Sequence, residues 1–115
     1  MILTAVISSA ATMLGMWALR AVPLPEVVKL ENKKVRVTEV TSAVRGVRER
    51  GVRATDQVIV FLDDCRYERI DPATGEKTIR ERKSGDVIWH DKGEDAPQLT
   101  NVGTRPYRTI VIELK

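Results

Sequence analysis

What most constrains this chain is a hydrophobic period of two that recurs from residue 34 onward, while no segment keeps the 3.6 period of an amphipathic helix. Lys34-Val35-Arg36-Val37-Thr38-Glu39-Val40 alternates polar and apolar and reads as a half-buried strand. Val27-Val28-Lys29-Leu30 before it reads as a short edge strand. Gln57–Leu62 (QVIVFL) is rich in β-branched residues and too short for a helix, so a strand buried on both faces is expected. Cys65–Ile70 alternates again. The turn residues Asp71-Pro72-Ala73-Thr74-Gly75-Glu76 then give it a hairpin partner in Lys77–Arg82. Ser84-Gly85-Asp86 turns into a short strand, Val87–Trp89, and Asp91–Asn101 reads as a polar loop. Gly103-Thr104-Arg105-Pro106 turns the chain into a last strand, Tyr107–Leu114, with Tyr107, Thr109, Val111 and Glu113 on one face. Seven or so strands with close-set turns predict an all-β sandwich or barrel. The long strand 107–114 presents an edge problem, and a second subunit covering it, as a homodimer, is the expected remedy.

Composition narrows the chemistry. One cysteine, Cys65, forbids an intrachain disulfide, and one histidine, His90, forbids a site built on several imidazoles of one chain. A net charge of +3 with 4% aromatic residues and no basic-aromatic interleaving gives no footprint for nucleic acid. No glycine-rich phosphate loop is present, since Gly46 and Gly51 precede no predicted helix.

The charges divide the chain. Arg20 is the only charged side chain before Glu26. Ile2–Leu19 is uncharged and moderately apolar, and as a helix it would fall just short of a bilayer core. It reads as a signal, as an anchor, or as an extension packed on the body or on a partner chain. Pro23 and Pro25 make its end a linker, so residues 1–25 form a leader and residues 26–115 the domain. Contact with a membrane would come only through that leader. The protein is exported or anchored if residues 2–19 act as signal or anchor, and cytoplasmic otherwise.

The body resembles a small single-domain cupin, a jelly-roll barrel of the double-stranded β-helix type. The resemblance rests on Gly85-Asp86-Val87-Ile88-Trp89, Gly93-Glu94, Asn101-Val102-Gly103, Pro106-Tyr107-Arg108 and Val111-Ile112-Glu113-Leu114-Lys115. In the first half Glu31-Asn32, Val35-Arg36-Val37, Gly46 and Asp56–Leu62 fit the same pattern, so the likeness spans about residues 26–115. The resemblance implies a barrel whose motif histidines hold a transition metal. Those positions here carry Val52 and Ala54, then Gln57 or Val58, then Asp95 or Ala96. Valine and alanine offer no lone pair, and two oxygen ligands do not hold such an ion tightly. The chain therefore reads as a cupin without its metal and without a cofactor. Its expected role is to bind a small ligand in the barrel, anionic by the following residues, or to serve as an interaction module, without catalysis.

Arg45, Arg48, Arg50 and Arg53 lie where the barrel mouth would be. They read either as a rim for a carboxylate or phosphate, or as a solvated loop paired with Glu49 and Asp56. The expected ligand contacts are Arg53, Val52, Ala54, Gln57, Trp89 and Asp95, with Val58 and Val60 lining an apolar interior. Trp89 and Tyr107 could stack on a ligand, but such residues more often fill a barrel core. The alternative is a metal-independent isomerase, lyase or hydrolase in which His90 and Asp95 transfer protons. It requires His90 to face the cavity. Cys65, beside Asp63 and Asp64, is expected to be an unreactive thiol.

Overall fold

The computed structural model describes residues 24–115, and the leader readings for residues 1–23 lie outside them. Eleven strands follow in chain order: β1 (Glu26–Glu31), β2 (Val35–Ser42), β3 (Val47–Arg48), β4 (Gly51–Val52), β5 (Asp56–Phe61), β6 (Cys65–Ile70), β7 (Lys77–Arg82), β8 (Val87–His90), β9 (Asp95–Ala96), β10 (Gln98–Asn101) and β11 (Tyr107–Leu114). They form a five-stranded sheet β1-β2-β11-β5-β8, a four-stranded sheet β3-β10-β6-β7 and a small pair β4-β9. All the pairings are antiparallel.

The predicted all-β jelly roll is what the chain adopts, with three local corrections. First, β5 is not buried on both faces. Ile59 and Phe61 are buried, whereas Val58 and Val60 on the other face are only half-buried. Only one side of β5 has a second sheet packed on it. Second, β11 is not an edge. It lies in the middle of its sheet, bonded to β2 on one side and β5 on the other, so its length needs no second subunit to cover it. The edges are β1 and β8. Third, the polar stretch 91–101 holds β9 and β10, and the arginine-rich stretch before β5 holds β3 and β4.

The core is small and aromatic: Ile59, Phe61, Tyr67 and Tyr107, with Cys65, Ile88, Leu99 and Val111 packed against it. The rings of Phe61, Tyr67 and Tyr107 form a triangle with centroids 6.4 Å apart. Each comes from a different strand, and together they tie the two sheets at one end of the barrel.

Asn101, 1% exposed, fastens that end. Its Nδ2 donates to the carbonyls of Ser42 and Arg105 at 3.0 Å each, and its Oδ1 accepts from the N–H of Gly103 at 2.9 Å. Its own backbone bonds reach Gly46 and Arg45. At Gly46 a Cβ would stand 2.8 Å from the carbonyl oxygen of Ala43, so only glycine closes this turn without displacement.

A charged clamp closes the turn after β5. Asp63 accepts from the backbone N–H of Arg108 at 2.9 Å and from its Nε and Nη2 at 3.0 Å each. The guanidinium holds the Asp63 carboxyl below its usual value. A depressed folded-state pKa contributes stability above the unfolded value of about 3.9, and that contribution is lost as pH falls through the folded value. Asp63→Asn is therefore expected to melt below the wild type at neutral pH, with the gap closing below about pH 4. A gap that stays constant from pH 7 to about pH 3 would refute the clamp.

Candidate functional site

Between the sheets lies a cavity of about 770 Å³. That volume is within the range of small-molecule sites. The inward faces of β2, β5, β8 and β11 supply Thr38, Val40, Gln57, Ile59, Ile88, His90, Thr109 and Val111. The opposite sheet supplies Arg48, Tyr67, Arg69, Arg80, Arg82 and Leu99. Alternation in β7, set by the pairing Tyr67↔Arg80 and Cys65↔Arg82, sends Arg80 and Arg82 inward.

One end of the cavity is aromatic and the other polar. They lie four residues apart on β5, roughly 13 Å from Phe61 to Gln57. At the aromatic end the Arg82 guanidinium sits 5.8 Å from the Phe61 ring centroid, and its Nε donates to the Tyr67 hydroxyl at 3.3 Å. Burial pushes the Tyr107 hydroxyl up to about 12, so it stays protonated. At the polar end Arg53, 7% exposed, donates from Nη1 to Gln57 Oε1 at 3.0 Å. His90 Nδ1 lies 3.1 Å from Glu94 Oε1, while Glu94 Oε2 accepts the N–H of Asp91 at 2.8 Å. That backbone bond first, and His90 second, hold the Glu94 carboxyl below its usual value. The segment is pinned by Arg53 N–H to the Glu94 carbonyl at 3.0 Å and Gly93 N–H to the Arg53 carbonyl at 2.8 Å.

The arginines dominate the electrostatics. Among the described residues, Arg48, Arg53, Arg80 and Arg82 have no carboxylate within 4.0 Å. Arg48 donates from Nη2 to the Pro97 carbonyl. Its Nε and that of Arg53 are buried without a partner. Burial, and then the nearby Arg53, push the Arg48 guanidinium down to about 10, and burial also lowers Arg53. The cavity's acids are engaged or exposed. Glu113 pairs with Arg36, Asp95 with Arg50 and Glu94 with His90, while Glu26 and Glu49 are exposed.

Arg53, Ala54 and Gln57 come together on the cavity wall, where the sequence reading set them. Val52, 70% exposed, is at the rim. Asp95 also reaches the rim, but its partner is Arg50 at 3.8 Å. His90 faces the cavity and its carboxylate is Glu94, not Asp95. Trp89 is misassigned both as a ligand contact and as core. It alternates with His90 on β8, is half-exposed on the outer face, and donates Nε1 to Asp91 at 2.8 Å. Val58 and Val60 share that outer face, and Ile59 and Phe61 line the interior instead. The arginine-rich segment splits: Arg48 and Arg53 turn inward, whereas Arg45 and Arg50 are exposed. Burial is the main reason the Cys65 thiol is raised to about 11, and the acidic neighbours add little.

The site does not fit a transition metal. No group of three His, Cys, Asp or Glu side chains among the described residues is placed to hold an ion. Beside Gln57 stands the Arg53 guanidinium, already a cation.

No protein-family model and no curated protein sequence matches the chain. Solved structures do. A cupin domain from Bordetella pertussis superposes with a TM-score of 0.71 at 18% identity, covering 81% of this chain and 94% of that one. A polyketide cyclase from Streptomyces resistomycificus gives 0.63 at 15% identity, covering 77% and 63%. A DMSP lyase from Ruegeria pomeroyi gives 0.61 at 13%, covering 81% and 47%. This chain is similar to them in fold: it is a small cupin-fold domain.

Proposed function

We propose that this cupin-fold domain binds a small anionic ligand with a flat apolar part inside its barrel, and that Arg48 and Arg53 anchor the anion. The observation that carries this reading is the pair of buried guanidinium Nε groups without partners on the cavity wall. A buried charge left unpaired is costly, and a carboxylate or phosphate that accepts from it recovers the cost through charge-assisted hydrogen bonds. The triangle of Phe61, Tyr67 and Tyr107 gives the apolar part a surface about 13 Å from the polar end. Thermal shift and calorimetry of the full chain with aromatic carboxylates and phosphate monoesters test it. A stabilising ligand is expected, and Arg53→Leu is expected to weaken it by about 30-fold or more. Failure of every anion in the series, or binding untouched by Arg53→Leu, would sink the reading.

The inward placement of His90 supports a second reading, metal-independent proton transfer. Glu94 orients the imidazole, and His90 is the base that a bound acid would meet. With a turned-over ligand in hand, His90→Gln is expected to lower kcat by about 100-fold or more while leaving KM nearly unchanged.

A further inference from the structure

We infer that the ligand carries a second anionic group at the far end of its flat part, held by Arg82 and Arg80 at the aromatic end of the cavity; this rests on the anionic ligand proposed above. The register of the β6–β7 hairpin builds the second subsite. It turns Cys65, Tyr67 and Arg69 of β6 and Thr78, Arg80 and Arg82 of β7 to one inner face. Glu68 and Glu81 fall on the outer face, so this wall carries three guanidinium groups and no acid. Arg69 has a partner of its own in Asp71, at 3.8 Å. Arg80 and Arg82 have no carboxylate within 4.0 Å among the described residues. Their Cα atoms stand roughly 7 Å apart on one face of one strand, where like charges repel.

The surroundings of the two arginines suit a carboxylate or phosphate joined to a ring. Arg82 is half-buried, lies 5.8 Å from the Phe61 ring centroid, and donates from Nε to the Tyr67 hydroxyl at 3.3 Å. Its Nη groups have no acceptor among the described residues, and a guanidinium presents them as a fork to a planar anion. Arg80 is exposed on β7, an edge strand of the four-stranded sheet, and also lines the cavity. Position along β5 sets the spacing. Arg53 is bonded to Gln57 near the start of that strand and Arg82 lies beside Phe61 at its end, so roughly 13 Å separates the two anchors. A monoanion compensates one pair of arginines and leaves the other pair facing itself. A rigid dianion with its charges at opposite ends of a ring system compensates both. The ligand class is therefore an elongated aromatic dianion, its rings against Phe61, Tyr67 and Tyr107.

Calorimetry of the full chain tests this with the linear dicarboxylates of benzene, naphthalene and biphenyl, each compared with its monocarboxylate. At least one dicarboxylate is expected to bind about 10-fold or more tighter than its monocarboxylate. Arg80→Gln combined with Arg82→Gln should abolish that preference and change the monocarboxylate Kd by less than about 2-fold. Arg80→Gln alone, at an exposed position, should reduce the preference at an unchanged Tm, which keeps the test decisive if the double variant fails to fold. Arg53→Leu should weaken both members of each pair. No preference in any pair, a preference that survives the Arg80 and Arg82 substitutions, or an equal loss of both members in the double variant would overturn the second subsite. Monocarboxylate binding that depends on Arg53 would then leave the first anchor standing, whereas a chain that binds neither member of any pair would overturn both.

Discussion

Asn101→Ala is expected to produce the largest loss of stability of any single substitution considered, about 3 kcal/mol, seen as a fall in Tm of roughly 15 °C. Among the described residues it is the most deeply buried polar side chain, and all three of its side-chain bonds go to backbone. Alanine removes the Nδ2 donor shared by the Ser42 and Arg105 carbonyls and leaves the Gly103 N–H without its side-chain acceptor. One of the three bonds is fully buried and two are partly buried, so the groups left behind add desolvation to the loss of the bonds themselves. The same side chain joins the end of β2 to the turn that feeds β11, so its loss loosens the junction on which the aromatic triangle stands. Thermal melts followed by dichroism would measure it. A fall of under about 4 °C would mean that water or a rearranged turn replaces the amide at little cost.

Arg48→Met should do the opposite to the empty protein. Its guanidinium is desolvated, stands near Arg53, and has a buried Nε without a partner. Replacing a poorly compensated buried charge by an apolar side chain of similar length is often stabilising, here by about 1–2 kcal/mol. The loss of its bond to the Pro97 carbonyl is the opposing effect and keeps the gain small. The same substitution should cost an anionic ligand about 30-fold or more in Kd. At saturating ligand the wild type would then be the more stable of the two, because ligand stabilises only the chain that binds it. Paired melts with and without ligand measure both effects. An Arg48→Met protein less stable than wild type in the absence of ligand would show that the guanidinium is structural.

The strands that carry this architecture were legible where periodicity had room to show. β2 and β11 are eight residues long, and the β6–β7 hairpin is fixed by the turn that opens at Asp71, whose Oδ1 accepts from the N–H groups of Ala73 and Thr74. β3, β4 and β9 are two residues long, and two residues have no period. The facing of β5 was hidden for a different reason. Val58, Ile59, Val60 and Phe61 are all apolar, so composition did not separate the interior from the outer face. The pairing of β5 with β8 separates them, and the same pairing moves Trp89 outward and His90 inward. Arg53 and Gln57 were legible as cavity-lining residues, but Arg80, Arg82 and Glu94 were not. The first two follow from the hairpin register, a signal present in the sequence. Glu94 needed the fold of the turn between β8 and β9 to choose it over Asp95.

The position of β11 has a consequence for biogenesis. It is the central member of the five-stranded sheet, yet it is translated after every strand it joins. Until it leaves the ribosome, the β1–β2 and β5–β8 pairs have no bridge between them. The nascent domain must therefore wait as two separate ribbons with open hydrogen-bonding edges, the stage at which a holding chaperone would matter most.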